Sequence, residues 1–391
     1  MLDKGVRLSS IASTLPISAI RVINERASKI PGVIHLEVGE PDLPTPKHVA
    51  DAAERAIEDG FTHYTPSAGI IELREAISKK LARDNGLGYD AGTEIVVTNG
   101  ANSALSLSLL AIIDPGSDIM IPDPGWANYE PLVKLVRANP IRYPLKEENC
   151  FTPKIDDIAR LVTSRTRAIV INSPNNPTGG VMEKEDLELV AEFAKRKDIY
   201  VISDEVYEKI LYDGAKHHSI ASIDGMRDRT ITVNAFSKTY CMTGWRLGYL
   251  AATKEIASAI VRLNSCANTC CSSISQAACL AALNGSQDCV DRMVDQFKKR
   301  RDSFVKGLNE IAGFSCVKPR GAFYAFASTK MINPSSFDLC LKILEEAKVA
   351  TIPGVSFGPM GEGYLRFSYA ASQAMLDTAL ERLASMFGRK N

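Results

Sequence analysis

A lysine and an arginine follow one of the apolar segments at short spacing. Lys238 comes just after the segment that ends at Phe236, and Arg246 stands eight residues further on. A lysine at the end of a buried strand is desolvated, which lowers its pKa and suits it to Schiff-base chemistry and proton transfer. An arginine can bind phosphate through a bidentate pair of hydrogen bonds. The alternative is an exposed loop that contains both residues, and spacing alone leaves it open.

Further polar residues lie at or just past the ends of predicted strands: Asn99, Gly100, Asp123, Asn175, Asn176 and Asp204. Parallel sheets bind ligands at the edge where the strands have their carboxyl ends. Each of these residue types is also common in turns for local reasons, but several at one edge favour a binding site. Gly100 opens an apolar helix whose free N–H groups suit a phosphate, although a structural cap gives the same pattern.

Short β-branched segments alternate with amphipathic helical segments through the middle of the chain. This alternation is typical of βαβ units around a mostly parallel sheet, so we expect an α/β fold. Helical spacing of apolar residues predicts a crossover helix over residues 183–195. The predicted strands cover residues 94–98, 118–122, 168–172, 199–204, 230–236 and 247–252.

The last third of the chain has a different pattern. A long charged helix is predicted from about Gln287, and we interpret its run Lys298, Lys299, Arg300 and Arg301 as a solvated helix face. Residues 321–326 and 364–368 are predicted strands of a second layer. We therefore expect two domains: a large one over residues 46–286, and a smaller α/β one formed by residues 1–45 and 287–391.

The composition of the chain argues against nucleic acids and membranes as partners. Lysine plus arginine and aspartate plus glutamate both total 46, so no net charge favours nucleic acid or an anionic membrane. The first residues lack the apolar core of a signal peptide, and no apolar run approaches the roughly 20 residues of a spanning helix. Nine scattered cysteines favour a reducing compartment, so we expect a cytoplasmic protein.

Two adjacent pairs could suggest a metal site. Cys270 and Cys271 have no second pair at ligand spacing, and we interpret them as packing residues. His217 and His218 lie in a polar loop, where neighbouring side chains diverge, so metal binding is the lesser interpretation there. We expect no metal.

Seven motifs together resemble the class I and II aminotransferases, which are pyridoxal-phosphate enzymes of fold type I. They occur in the family's order: residues 39–42 (GEPD), 64–66 (YTP), 172–179 (NSPNNPTG), 203–207 (SDEVY), 237–246 (SKTYCMTGWR), 321–324 (GAFY) and 364–368 (YLRFS). The resemblance implies a mostly parallel seven-stranded sheet flanked by helices. It also implies pyridoxal 5'-phosphate as the cofactor.

The resemblance assigns roles around the cofactor ring. Lys238 is similar to the lysine that forms the Schiff base and moves the proton during the reaction. Asp204 resembles the carboxylate that pairs with the pyridine nitrogen and keeps it protonated, which lets the ring accept electrons. Tyr207 and Asn176 match the groups that bind the cofactor's O3', and Trp126 matches the ring stacked on the cofactor.

The resemblance also implies how the phosphate and the substrate are bound. Arg246 and the backbone of Gly100, Ala101 and Asn102 would bind the phosphate, and Ser237 would also contact the cofactor. Tyr64 would reach the phosphate from a second subunit. A homodimer with shared active sites follows. Arg366 and the Gly39 backbone would bind the substrate α-carboxylate, and Asn176 would line the same site. Residues 17–29 resemble an N-terminal helix that closes over bound substrate.

Two positions differ from the family's pattern. Many members carry a serine where this chain has Ala235, which removes one hydroxyl from the phosphate site. Several aspartate-using relatives place a lysine where this chain has Asn102, so the resemblance does not imply a preference for aspartate.

The function implied by the resemblance is ping-pong transamination. An L-amino acid gives its amino group to the cofactor, and 2-oxoglutarate or pyruvate collects it. Two alternatives stay open: a lyase or decarboxylase on the same scaffold, because a fold does not choose the bond that breaks, and a cofactor-binding regulator. The regulator is disfavoured because it needs an additional basic DNA-binding domain.

Overall fold

The computed structural model describes residues 8–15, 19–332 and 335–390. The strands in chain order are β1 Ile34–His35, β2 Ile95–Thr98, β3 Asp118–Asp123, β4 Asn139–Pro144, β5 Thr166–Asn172, β6 Tyr200–Asp204, β7 Thr230–Ala235, β8 Gly248–Ala251, β9 Ser315–Cys316, β10 Tyr324–Ser328, β11 Val349–Ala350, β12 Ile352–Pro353 and β13 Tyr364–Ser368. The α-helices are α1 Ser10–Thr14, α2 Ala19–Ala27, α3 Lys47–Glu58, α4 Ile71–Lys80, α5 Gly100–Ile112, α6 Tyr129–Leu135, α7 Ile155–Ala159, α8 Lys184–Lys197, α9 Phe236–Thr239, α10 Lys254–Asn268, α11 Ser273–Asn284, α12 Asp288–Asn309, α13 Ser336–Lys342 and α14 Gln373–Phe387.

The large sheet has seven strands in the order β2-β8-β7-β6-β5-β3-β4. β8 is antiparallel to both of its neighbours, and the other neighbouring pairs are parallel. Alternate residues of a strand face opposite sides of the sheet. Thus Ile169 and Ile171 of β5 enter one apolar core, while Ala168 and Val170 enter another. Helices cover both faces, and the expected mostly parallel α/β sheet is confirmed.

Six of the seven strands match the sequence predictions to within two residues at each end. The unpredicted strand is β4, which lies at the edge of the sheet beside β3. Its sequence contains Pro140 and Pro144, which cannot donate backbone hydrogen bonds and are therefore tolerated mainly in edge strands. Most of its residues are only partly buried, so the apolar signal of a central strand is missing.

The crossover helix α8 begins one residue later than predicted and continues two residues further. Glu183 precedes it and forms a capping box with Asp186, which satisfies free N–H groups of the first turn. Leu187, Val190 and Ala194 are buried on one side of the helix. This side packs in the same apolar core as Ile169 and Ile171, so the helix lies against the sheet.

A second sheet is antiparallel and has the order β12-β13-β10-β9. The strand predicted over residues 321–326 begins later, at Tyr324, whereas the prediction over 364–368 matches β13. Helices α12 and α14 pack against each other beside this sheet. The domain boundaries at residues 46 and 287 stay a prediction.

The N-terminal segment contributes the short helix α2. It covers Ala19–Ala27, inside the predicted helix over residues 17–29. Ile17 and Ser18 lie outside the described residues. Ile23 and Ala27 are buried. Helix α2 packs against β12 of the second sheet and against β11, which pairs with β1 in a separate two-stranded sheet.

The interpretation of residues 298–301 as a solvated helix face is wrong for two of the four. Lys298 and Lys299 are exposed, but Arg301 has no exposed surface and Arg300 forms a bidentate ion pair with Asp42. Arg301 is four residues after the buried Phe297 and therefore shares its side of α12. Its guanidinium donates to the Pro319 carbonyl at 3.0 Å.

Arg301→Met is expected to lower the free energy of unfolding by about 1–3 kcal/mol, because the buried Pro319 carbonyl loses its partner. The variant also leaves Asp213 without its 2.8 Å ion pair to Arg301. Denaturant unfolding followed by circular dichroism measures the change. The control Lys299→Met on the same helix is expected to shift it by less than about 0.5 kcal/mol. Equal effects of both substitutions would contradict the buried role of Arg301.

Candidate active site

One cavity of about 320 Å³ lies where the carboxyl ends of the large sheet meet the second sheet. It contains side chains from both sheets and from α2. Its lining is Ile20, Asn24, Glu37, Val38, Gly39, Ala101, Asn102, Trp126, Asn172, Asn176, Asp204, Val206, Tyr207, Ala235, Ser237, Lys238, Thr243, Arg246, Tyr324 and Arg366. Every predicted site residue except Gly100 and Tyr64 belongs to this lining.

Lys238 projects into the cavity from α9, the short helix that follows β7. Its Nζ donates a hydrogen bond to the Gly39 carbonyl at 2.5 Å. Burial lowers the pKa of Lys238 to about 8, and the nearby cations Arg366 and Arg246 act in the same direction. A good fraction of the amine is therefore neutral near physiological pH, as nucleophilic attack on a carbonyl requires.

Asp204 ends β6, the middle strand of the large sheet, and its side chain is buried. Tyr129 donates to Asp204 Oδ2 at 2.6 Å, and Asn172 donates to the Asp204 carbonyl at 2.9 Å. Burial nevertheless raises the pKa of Asp204 to about 6. A cation placed against this carboxyl group would favour its ionised form.

Tyr207 is three residues beyond Asp204 and is also buried. Its hydroxyl lies 2.8 Å from the hydroxyl of Tyr324, which belongs to β10 of the second sheet. Asn176 follows β5, and its backbone N–H donates to Asn172 Oδ1 at 2.9 Å. The phenol and the amide thus reach the cavity from two different loops beyond the sheet.

Arg366 lies in β13, and its guanidinium is buried. One nitrogen donates to Asn176 Oδ1 at 3.2 Å, and another donates to the Glu37 carbonyl. Its Nε has no hydrogen-bond partner among the residues that the structure describes. A buried guanidinium with unused donor capacity suits a carboxylate, which accepts two parallel hydrogen bonds.

The start of α5 and Arg246 line a further part of the cavity. A β-carbon at Gly100 would lie 2.9 Å from Arg246 Nη2, so the guanidinium is packed directly over the backbone of the first helical turn. Gly100 also has φ +76°, which favours glycine. Free N–H groups at a helix N-terminus together with an arginine are suited to bind a phosphate.

Trp126, Ser237 and Ala235 are the remaining positions that the sequence places around the cofactor. Trp126 packs edge-on against Tyr129, with 5.4 Å between ring centroids, which fixes the indole at the cavity wall. Ser237 and Ala235 lie beside Lys238 in the lining. The methyl group of Ala235 offers no hydrogen bond where a serine would offer a hydroxyl.

Tyr64 lies apart from the cavity of its own chain and is 88% exposed. The segment that carries it is fixed at both ends: Ser273 donates to the Phe61 carbonyl at 2.8 Å, and Gln276 donates to Thr65 Oγ1 at 2.9 Å. An ordered segment therefore presents a large aromatic side chain to the outside.

Two of the polar residues at the strand ends have a local role instead. Asp123 accepts a hydrogen bond from the Met360 N–H at 3.0 Å, and Asn175 accepts from Thr178 Oγ1 at 2.9 Å.

Two residues that contact the site, Tyr129 and Tyr324, were not predicted from the sequence. Tyr324 ends the GAFY motif and could have been noticed there, whereas Tyr129 has no signal beyond its place three residues after Trp126.

Glu205, Glu208 and His217 form a polar cluster next to the cavity. Their ligand atoms lie within 4.8 Å of one another, a spacing that could hold a metal ion. However, Lys80 already pairs with Glu208, and His217 Nε2 lies 2.9 Å from Glu205 Oε2. The carboxylates therefore have partners within the chain, and the cluster is a buried ion-pair network.

Comparison with known proteins agrees with this geometry. The family model for aminotransferase class I and II matches residues 31–383. The chain belongs to this family. It is 43% identical to aromatic-amino-acid aminotransferase 2 of Thermococcus litoralis and 44% identical to an aspartate aminotransferase of Pyrococcus abyssi. Both alignments cover 95% of this chain and 96% of the relative.

Solved structures show the same fold. The aspartate aminotransferase from Thermus thermophilus with maleate superposes with a TM-score of 0.93 at 38% identity, covering 97% of this chain and 100% of the other. A Pyrococcus structure called protein A1 gives a TM-score of 0.95 at 43% identity, covering 97% and 98%.

The protein is therefore an enzyme of the aminotransferase family, and the expected family, fold and type of reaction are confirmed. The lyase or decarboxylase alternative is not favoured, because the relatives are named aminotransferases. Among the described residues, no helix is both long enough and apolar enough to cross a bilayer.

The lowered pKa of Lys238 predicts its labelling profile in the cofactor-free aminotransferase. Only the neutral amine reacts with a trace of acetic anhydride, so labelling of Lys238 is expected to be half-maximal at pH about 8. Mass spectrometry of the labelled peptide measures this midpoint. Arg246→Met removes a nearby cation and is expected to move the midpoint upwards. A midpoint near the ordinary value of 10.5 in the unmodified protein would show that Lys238 is not desolvated.

Proposed function

We propose that this aminotransferase binds pyridoxal 5'-phosphate as a Schiff base on Lys238 and moves amino groups from an L-amino acid to a 2-oxo acid. The observation that carries the proposal is the placement of three differently charged groups in one cavity. Lys238 offers a neutral amine, Asp204 a buried carboxyl group and Arg366 a buried guanidinium with a free donor. Each fits a different part of the cofactor or substrate.

The cofactor's parts correspond to these groups. When bound, pyridoxal phosphate supplies an electron sink for the charge that develops at the substrate α-carbon. Asp204 stabilises a proton on the ring nitrogen, and that cation in turn favours the ionised carboxylate. Arg246 and the N–H groups of Gly100, Ala101 and Asn102 bind the phosphate. Trp126 covers the ring, and Ser237 lies next to the attached lysine.

The remaining groups act on the substrate or on the phenolic oxygen of the cofactor. Arg366 binds the α-carboxylate together with the N–H of Gly39, which orients the amino acid beside Lys238. Once the substrate amine has displaced Lys238 from the cofactor, its free Nζ would take the proton from the α-carbon and return it on the cofactor side, because its lowered pKa suits proton transfer in both directions. Tyr207 and Asn176 bind the cofactor's phenolic oxygen. The same groups serve the second half-reaction, in which 2-oxoglutarate or pyruvate receives the amino group.

We also propose that the enzyme is a homodimer in which Tyr64 reaches the phosphate of the partner's site. Tyr64 is almost fully exposed, although its segment is held by Ser273 and Gln276. An exposed aromatic residue on an ordered segment fits an interface that a second copy covers. The cytoplasm is the proposed compartment, since all nine cysteines carry free thiols.

Substrate titration tests the proposed reaction directly. Single L-amino acids are added to the protein loaded with pyridoxal phosphate, and the visible absorption band of the Schiff base is recorded. An amino acid that serves as substrate is expected to remove the band, and a 2-oxo acid is expected to restore it. Lys238→Ala should abolish the band and both responses, while the control Lys216→Ala, at an exposed lysine, should keep them.

Two outcomes of this titration would contradict the proposal. If the band is present and amino acids release ammonia or carbon dioxide without conversion to the 2-oxo acid, the lyase or decarboxylase alternative is correct. If the loaded protein has no visible band, Lys238 does not form the Schiff base.

Sedimentation equilibrium tests the dimer. We expect a mass of twice the 42.5 kDa chain. Tyr64→Phe is expected to weaken retention of pyridoxal phosphate by about 3- to 10-fold, because one hydrogen bond to the phosphate is lost. The control Tyr200→Phe, in β6, should retain the cofactor normally. A monomer that binds cofactor equally well with either substitution would exclude a shared site.

A further inference from the structure

Tyr324 touches both the cofactor part and the substrate part of the cavity. Its hydroxyl lies 2.8 Å from the Tyr207 hydroxyl. Its ring lies against Arg366, with 4.6 Å between the guanidinium carbon and the ring centroid. A β-carbon at Gly39 would lie 2.6 Å from Tyr324 Oη. Tyr324 therefore contacts three residues to which the proposed function gives roles, although it has no role there itself.

The second sheet fixes this position. In the pairing of β10 with β13, Tyr324 is opposite Ser368 and Phe326 is opposite Arg366. Tyr324 and Arg366 are thus diagonal neighbours on the same face of the sheet, a relation that brings long side chains into contact. Tyr324 is also buried among Phe323 and Tyr207, with ring centroids 4.8 Å and 5.8 Å away. Its hydroxyl has little freedom to move.

The hydrogen bond between the two hydroxyls raises the question of which one donates. Each phenol has a single proton. If Tyr207 donated to Tyr324, Tyr207 would have no proton left for the cofactor's phenolic oxygen. If Tyr324 donates to Tyr207, the Tyr207 proton is free to point into the cavity.

The surroundings favour Tyr324 as the donor. The guanidinium of Arg366 lies over the Tyr324 ring, and a nearby cation makes a phenol a stronger donor. Burial raises the pKa of both tyrosines, and Arg366 opposes the rise at each of them. The direct contact of the guanidinium with the Tyr324 ring favours Tyr324 as the donor and Tyr207 as the acceptor.

We infer that Tyr324 is a positioning residue whose hydroxyl donates to Tyr207 and thereby directs the proton of Tyr207 at the phenolic oxygen of the cofactor. This inference rests on the proposed function, because it needs pyridoxal phosphate in the cavity. The donated proton withdraws negative charge from the phenolic oxygen. The protonated Schiff-base nitrogen beside that oxygen then loses part of its stabilisation and has a lower pKa.

The test is a pH titration of the visible band of the loaded enzyme. Tyr324→Phe keeps the ring against Arg366 and removes only the hydroxyl. It is expected to raise the pKa of the Schiff base by about 0.3 to 1 unit, the equivalent of one hydrogen bond. Tyr207→Phe is expected to raise it further. The double variant should match Tyr207→Phe alone, because Tyr324 acts only through Tyr207.

A matched control separates this role from a general effect on packing. Tyr212→Phe removes another buried hydroxyl, one that donates to the Ala322 carbonyl two residues before Tyr324. It is expected to leave the pKa of the Schiff base unchanged. The inference is overturned if Tyr324→Phe does not shift this pKa, or if its shift adds to that of Tyr207→Phe.

Failure of the proposed function gives a different result. In that case the unmodified protein has no visible band after addition of pyridoxal phosphate, and no variant can be titrated. A normal band in the unmodified enzyme that responds to Tyr207→Phe and not to Tyr324→Phe supports the proposed function and rejects the role of Tyr324 alone.

Discussion

Asp204 keeps its carboxyl group out of water at the end of the middle strand of the large sheet. Removing a carboxylate from water is costly unless it is paired, and two hydrogen bonds to Asp204 do not prevent a raised pKa. The cationic ring nitrogen of the proposed cofactor would supply the missing partner. The groups that would act on the same ring are placed by the neighbouring strands, since Asn176 follows β5 and Lys238 follows β7.

Neither sheet contains the whole site. The large sheet and its loops supply the carboxyl group, the lysine and the residues proposed to bind phosphate, whereas Arg366 and Tyr324 come from β13 and β10. Hydrogen bonds cross between the two parts from Arg366 to Asn176 and between Tyr207 and Tyr324. The geometry of the cavity therefore depends on how the two parts of the chain pack together, and the residues that hold this packing, such as Arg301, matter for the site without lining it.

Much of this arrangement could be predicted from the sequence, for a physical reason. Central strands are continuous apolar segments, and the residues that follow them must share one edge of the sheet, so Asp204, Asn176 and Lys238 were recognisable from order alone. Arg366 and Trp126 could be recognised as site residues only through the family motifs. The edge strand β4, the burial of Arg301 and the contact of Tyr129 with Asp204 depend on tertiary neighbours, which a local pattern does not contain.

Helix α2 brings Ile20 and Asn24 to the cavity but carries none of the residues proposed to bind the cofactor. The large sheet and its loops carry those. A substitution at Ile20 or Asn24 would therefore change the wall of the cavity without removing any group proposed to bind the cofactor. The shape of the cavity on the α2 side and the chemistry of the cofactor side can thus be varied separately.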